Sequence, residues 1–270
     1  MSSERVGFIG GGNMAEAMLS GLLKSGLLTP DRIRCAEVYA SRRAELEARF
    51  QIETTDDCRE VAEWANCVVF AVKPQVLGQV LTQSGSAFDA SKLLISVCAG
   101  VSLARFAEAL PAGVRLIRSM PNTPALVGKG ATAIARGQHC SDADRDFARA
   151  LFESVGTCVE VEERYLDAVT GLSGSGPAYV LMLLEGLADG GVRAGLPRAV
   201  AQELALQTVL GTAQLVRDTG THPAVLKDQV TSPGGTTAEG VFALERGGFR
   251  AALIDAVCQA SERSKQLGRG

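Results

Sequence analysis

Three small residues follow a short apolar run near the start of the chain. Val6-Gly7-Phe8-Ile9 leads into Gly10, Gly12 and Ala15, spaced G-x-G-x-x-A. Each type has a mechanical reason in a loop that must meet a pyrophosphate. Gly10 permits a tight turn, Gly12 lets backbone approach the phosphates, and Ala15 lets the next helix lie close to the strand. That helix would aim unpaired N–H groups and its positive end at the ligand. A second stretch, Thr231-Ser232-Pro233-Gly234-Gly235-Thr236-Thr237, also leads into a helical pattern. Its neighbouring glycine amides and flanking hydroxyls read as a nest for a small carboxylate, or equally as an interhelical turn capped by Thr236 or Thr237. Ser173-Gly174-Ser175-Gly176-Pro177 carries the same two readings.

Other chemistries find little support. The chain has two histidines, His139 and His222, far apart, so metal or Ser-His-Asp catalysis would lean on one of them. The seven cysteines are scattered, odd in number and never spaced C-x-x-C, which argues against a zinc site or a disulfide framework and fits a reducing cytoplasm. Net charge is −3, giving no electrostatic footprint for nucleic acid or an anionic membrane. No apolar run reaches the length of a membrane helix, and Met1-Ser2-Ser3-Glu4-Arg5 leaves no room for a signal peptide.

The first loop needs a scaffold. Apolar runs at 6–9, 33–37, 67–72, 93–97, 114–117, 131–135 and 157–161 read as strands, and helical patterns at 13–25, 42–50, 58–64 and 142–152 lie between them. Such alternation argues for an α/β Rossmann-type, doubly wound, mostly parallel sheet. Near Glu163 the texture changes. Helical stretches at 179–192, 198–216, 224–230, 237–245 and 249–266 follow, with apolar residues on more than one face. The expectation is a dinucleotide-binding domain over 1–162 and an all-helical domain over 163–270, the latter pairing with a second copy.

In an open α/β sheet, ligands bind beyond the carboxyl ends of the strands. The residues waiting there are Gly10, Gly11, Gly12, Asn13 and Met14, then Glu37 with Arg42 and Arg43, then Ala71, Val72, Lys73 and Pro74, then Cys98, Ala99 and Gly100, and finally the run from Arg118 that contains Asn122. Glu37 would accept a ribose 2′-hydroxyl and repel a 2′-phosphate, whereas Arg42 and Arg43 would neutralise one. The residues leave that choice open.

Together the segments resemble the pyrroline-5-carboxylate reductases. The matching stretches are Phe8-Ile9-Gly10-Gly11-Gly12-Asn13-Met14, Ala71-Val72-Lys73-Pro74-Gln75, Arg118-Ser119-Met120-Pro121-Asn122-Thr123-Pro124, Thr170 through Tyr179, Ala188-Asp189-Gly190-Gly191-Val192, and Val230 through Thr237 with Lys227-Asp228 ahead of it. They span the chain in the family's order. The resemblance implies hydride transfer from NADPH, or NADH, to the C=N carbon of a cyclic imino acid, giving L-proline. It implies a homodimer interlocked through the helical domain, and rings of such dimers. Gly10 to Met14, Ala71 to Pro74 and Cys98 to Gly100 would hold the cofactor. Ser232, Gly234, Gly235, Thr236 and Thr237 would hold the substrate, facing a cofactor bound by the partner chain, with Thr237 near the ring nitrogen. Glu163 matches an acidic position close by. Three departures stand out: Cys58 replaces the asparagine of some relatives, Glu37 a serine, and Gly220 an acidic contact. The first two weaken the usual NADPH preference.

Imine reduction suits a chain without a placed histidine, since a protonated C=N carbon is already electrophilic. Two rivals are weaker. A β-hydroxyacid dehydrogenase would carry a lysine after G-x-x-G-x-G-x-x-x, but Gly171, Gly174 and Gly176 are followed by Val180. A non-enzymatic dinucleotide sensor would tolerate a degraded substrate loop, and the 232–237 loop is intact.

Overall fold

The computed structural model describes residues 4–268. Packing divides the chain into two units. The first runs to Ser175 and is rejoined by the chain from Gln259; the second spans Gly176–Cys258.

The first unit is built on an eight-stranded sheet: β1 (Val6–Ile9), β2 (Ile33–Ala36), β3 (Glu53–Thr55), β4 (Cys67–Phe70), β5 (Leu93–Ser96), β6 (Arg115–Met120), β7 (Gly130–Arg136) and β8 (Gly156–Glu160). The strand order is β3-β2-β1-β4-β5-β6-β7-β8. Every pair is parallel except β6 with β7. Chain direction across the sheet reverses at β1, so the crevice between the ends of β1 and β4 is the topological switch point. The helices of this unit are α1 (Asn13–Lys24), α2 (Ala40–Phe50), α3 (Cys58–Trp64), α4 (Pro74–Ser84), α5 (Leu103–Ala109), α6 (Asp142–Glu153) and the short α7 (Leu166–Val169).

The continuous apolar runs are explained by burial on both faces. Cys67 and Val69 of β4 join one core with Phe8, Met18, Leu22 and Phe152. Val68 and Phe70 join the opposite core with Ile9, Val61, Leu77 and Phe106. The apolar run at 67–72 outlasts its strand, because Ala71 and Val72 turn out toward the crevice after Phe70. β3, α4 and α5 have no counterpart among the sequence expectations.

Residues 163–175 change texture in the sequence but pack with the first unit. Leu166 is fully buried against Ala133 and Ala135 of β7. A π-helical turn at Thr170–Gly174 follows.

The second unit is helical: α8 (Gly176–Arg193), α9 (Arg198–Thr219), α10 (Pro223–Gln229), α11 (Thr236–Arg246) and the first half of α12 (Phe249–Gly268). Small residues let α8 and α9 approach, since a Cβ on Gly191 would lie 3.1 Å from the Ala201 methyl. Only Ala188, Ala201 and Ala205 are buried in this unit. Leu181, Met182, Leu204, Leu210, Phe242 and Ile254 are each more than half exposed. Among the described residues no helix is long and apolar enough to cross a membrane.

Candidate active site

The fingerprint loop shows why each of its positions is small. Gly10 has φ +98°, and a Cβ there would stand 2.7 Å from the Ala71 carbonyl oxygen, so glycine alone fits where β1 meets β4. A Cβ on Gly11 would meet Leu46 of α2 at 2.7 Å. Gly12 is different: nothing lies within 4 Å of the place its Cβ would take. It precedes α1 without a side-chain cap, and Gly12 and Asn13 are exposed. Open space thus lies above uncapped helix amides, a cradle that fits a pyrophosphate. Ala15 is fully buried, and Met14 packs against Ala17, Ala125 and Val155.

At the end of β2, Glu37 Oε2 accepts the Gly11 amide at 2.9 Å and Oε1 accepts the Tyr39 amide at 3.1 Å. The neighbouring arginines are committed elsewhere. Arg42 Nε donates to the Gly11 carbonyl at 2.8 Å, and its other two nitrogens pair with Glu45 and Glu16. Glu16 is also paired with Arg49. The hydrogen bond from Arg42 is the main cause holding the Glu16 carboxyl below its ordinary value. Arg43 donates to the Glu37 carbonyl at 2.8 Å and the Val38 carbonyl at 3.2 Å. Arg42 is therefore a buttress of the fingerprint loop, its charge balanced by two carboxylates. Cys58 is buried at the start of α3 with its thiol toward Gln83.

Ala71 and Val72 are half-buried at the end of β4, and Lys73 and Pro74 are exposed at the start of α4. The Cys98 thiol donates to the Val72 carbonyl at 3.3 Å, and burial pushes its pKa up, so it is a packing group and not a nucleophile. Ala99 is exposed, and Gly100 holds φ +75°. These segments gather along the carboxyl edge of the sheet as the spacing argument requires.

Asn122 and Glu163 have other attachments. Asn122 Nδ2 donates to the Ser173 carbonyl at 3.0 Å, and its Oδ1 accepts the Ala131 amide at 2.8 Å, tying the π-turn to β7. Glu163 Oε1 accepts the Leu103 amide at 2.7 Å and a hydrogen bond from Arg118 at 3.0 Å. Arg118, Asp167 and Ser264 complete that cluster, and sequence reasoning singled out neither Asp167 nor Ser264.

Ser232, Gly234, Gly235, Thr236 and Thr237 lie in the second unit. Gly234 has φ +63°, and the Gly235 amide closes the turn on the Ser232 carbonyl at 3.0 Å. Gly235 is the N-cap of α11 and no side chain caps the helix, so neither Thr236 nor Thr237 serves that purpose.

Residues 163–267 match the family described as pyrroline-5-carboxylate reductase dimerisation. Residues 5–100 match NADP oxidoreductase, coenzyme F420-dependent. The chain is 50% identical over 267 residues to the pyrroline-5-carboxylate reductase of Synechocystis sp., covering 99% of each chain. The chain belongs to the pyrroline-5-carboxylate reductase family. The reductase of Arabidopsis thaliana is 47% identical over 99% of this chain and 96% of its own. Among solved structures, the Coxiella burnetii reductase superposes with TM-score 0.93 at 33% identity, covering 98% of this chain and 99% of its own. The Plasmodium falciparum pyrroline carboxylate reductase, solved with NADP bound, superposes with TM-score 0.90 at 32% identity, covering 99% of each.

Proposed function

We propose that this chain reduces the C=N bond of 1-pyrroline-5-carboxylate to give L-proline, using NADPH, with NADH as an alternative. The observation that carries the reading is the open space over Gly12 at the switch point of the sheet, in a chain whose whole length matches these reductases. The reduced nicotinamide, when bound, supplies the hydride. The chain's own residues do the rest. The amides of Gly12, Asn13 and Met14 receive the pyrophosphate. Ala71 to Pro74 and Cys98 to Gly100 line the path beyond it. The carboxylate of the imino acid is held by the amides and hydroxyls of Ser232, Gly234, Gly235 and Thr236. The Thr237 hydroxyl orients the ring nitrogen; threonine is a poor acid, so the proton comes from solvent. Excluding bulk water and holding the ring face-on supply most of the remaining advantage.

The division of labour follows from this reading. Residues 1–162 serve the dinucleotide and 163–270 serve substrate and self-association. The helical unit forms the homodimer, and dimers close into a ring. The protein works in the cytoplasm.

The test compares wild type and Thr237→Ala in pyrroline-5-carboxylate-dependent oxidation of NADPH. Turnover falls about ten- to a thousandfold, the range expected for losing one positioned group, while KM for NADPH holds. Wild-type kinetics in the variant would remove Thr237 from the mechanism.

A further inference from the structure

A chain of polar contacts runs through the first unit to the far end of the sequence. Arg118, in the interior of β6, is only 7% exposed. One guanidinium nitrogen lies 3.0 Å from Glu163, and another lies 3.9 Å from Asp167. The same Glu163 oxygen accepts the Leu103 amide, the first of α5. Asp167 accepts a hydrogen bond from Ser264 Oγ at 2.7 Å. Ser264 is itself 4% exposed, on the last turns of α12. A hydroxyl from the chain's final helix is thus linked, through three charged side chains, to the backbone that begins α5.

The end of α12 meets that segment a second time. Gly100 lies three residues before Leu103. A Cβ on Gly100 would stand 3.7 Å from Leu267 Cβ, and a Cβ on Gly268 would stand 2.9 Å from the Gly100 carbonyl oxygen. Two glycines let two stretches of backbone touch. The Cys98–Gly100 turn is therefore fixed on three sides: by the Cys98 thiol on Val72, by α12 behind Gly100, and by the Glu163–Arg118 cluster at the start of α5. Ala99 alone faces solvent. β1, β2 and β3 form one mononucleotide-binding half of the sheet, and β4, β5 and β6 the other. The turn after β5 consequently faces the nicotinamide half.

We propose that the last turns of α12 form a strut that holds the Cys98–Gly100 turn in its cofactor-receiving shape, with Ser264 and Asp167 as positioning residues acting through Arg118 and Glu163. The inference rests on the reading above that this turn touches the cofactor. Neither Ser264 nor Asp167 meets the ligand. Each contributes by sparing the cofactor the cost of ordering the turn.

Four full-length variants test it: Ser264→Ala, Ser264→Thr, Asp167→Asn and Ala99→Tyr. NADPH affinity is read by titrating nicotinamide fluorescence in the absence of imine, and local order by hydrogen exchange of amides 98–103. For Ser264→Ala and Asp167→Asn the strut requires faster exchange at these amides and an NADPH Kd raised about tenfold. Turnover at saturating NADPH stays near wild type, and Ser264→Thr restores both readouts. Faster exchange with an unchanged Kd would overturn the strut and leave the cluster a purely structural one. Ala99→Tyr separates the two layers of the argument. If it leaves NADPH affinity untouched, the turn is no cofactor contact and the underlying reading fails. If it weakens binding while Ser264→Ala and Asp167→Asn do not, the strut alone fails.

Discussion

Glu37 holds the Gly11 amide with one carboxylate oxygen and the Tyr39 amide with the other, at the end of the strand where a ribose would lie. Its remaining lone pairs suit a 2′-hydroxyl and its charge opposes a 2′-phosphate. Residue types alone cannot weigh this against Arg42 and Arg43. The hydrogen bonds do so for Arg42, which spends all three nitrogens on Gly11, Glu16 and Glu45, whereas Arg43 binds the Glu37 and Val38 carbonyls through one nitrogen. Glu37→Gln keeps an acceptor for the Gly11 amide and removes the charge. The ratio of kcat/KM with NADPH to that with NADH then rises about tenfold, roughly 1.4 kcal/mol of relieved repulsion. Steady-state kinetics with the two cofactors in parallel would measure it, and an unchanged ratio would place discrimination elsewhere. Legibility at this scale follows from geometry. Gly10 is readable because a left-handed φ and the nearby Ala71 carbonyl admit no side chain, and Gly12 because its place in the G-x-G-x-x-A spacing leaves the room a ligand backbone contact needs. The Arg118 cluster is not, because its partners are 45 residues apart for Glu163 and Arg118, and 97 apart for Asp167 and Ser264. Serine and aspartate at such separations carry no pattern.

At the scale of elements, α1 and α2 are joined by Glu16, which takes hydrogen bonds from Arg42 and Arg49. The carboxyl is held below its ordinary value chiefly by the Arg42 bond. A folded-state value below the unfolded one means the unfolded chain binds the proton more readily. The stabilisation is complete above the unfolded value, near pH 4, and is lost as pH falls through the folded value. Acid titration of thermal stability shows a loss below about pH 4 that Glu16→Gln diminishes. Identical acid limbs for the two proteins would contradict the clamp. The strands buried on both faces are legible as unbroken apolar runs. β3 is not, because Glu53-Thr54-Thr55 pairs along one side at the sheet edge and needs no apolar residue. α4 hides for the opposite reason. Its buried face, Leu77, Val80, Leu81 and Ser84, has the helical spacing, but the opposite face carries no charged residue and includes Val76 and Gly78, so the polar half of the pattern is muted. α5 buries Phe106 alone, so no second apolar position repeats to mark a period, whereas the equally short α3 buries Cys58, Val61 and Ala62.

At the scale of the molecule, the helical unit cannot account for its own composition. Three alanines are its only buried residues, while leucines, Met182 and Phe242 stand in solvent. A self-complementary two-fold interface would bury such a surface, and the match to the reductase dimerisation family over 163–267 fits this. Leu210, 60% exposed on α9, is a suitable probe. Leu210→Glu lowers the mass measured by light scattering at micromolar protein from dimer or larger toward monomer. An unaltered mass would show that this face is not the contact. The all-helical character of the second half was readable from the chain because strand-like runs cease near Glu163. The packing division after Ser175 was not, since Leu166 joins the first core from a helical stretch.

The most direct test of the whole account follows a labelled hydrogen. Wild-type protein is supplied with 1-pyrroline-5-carboxylate and NADPH deuterated at the transferable position of the nicotinamide, and the product is examined by mass spectrometry and NMR. The account predicts L-proline carrying one deuterium at C5, the former imine carbon, with one cofactor oxidised for each proline formed. Folded protein that yields no proline, or proline without the label, would contradict it.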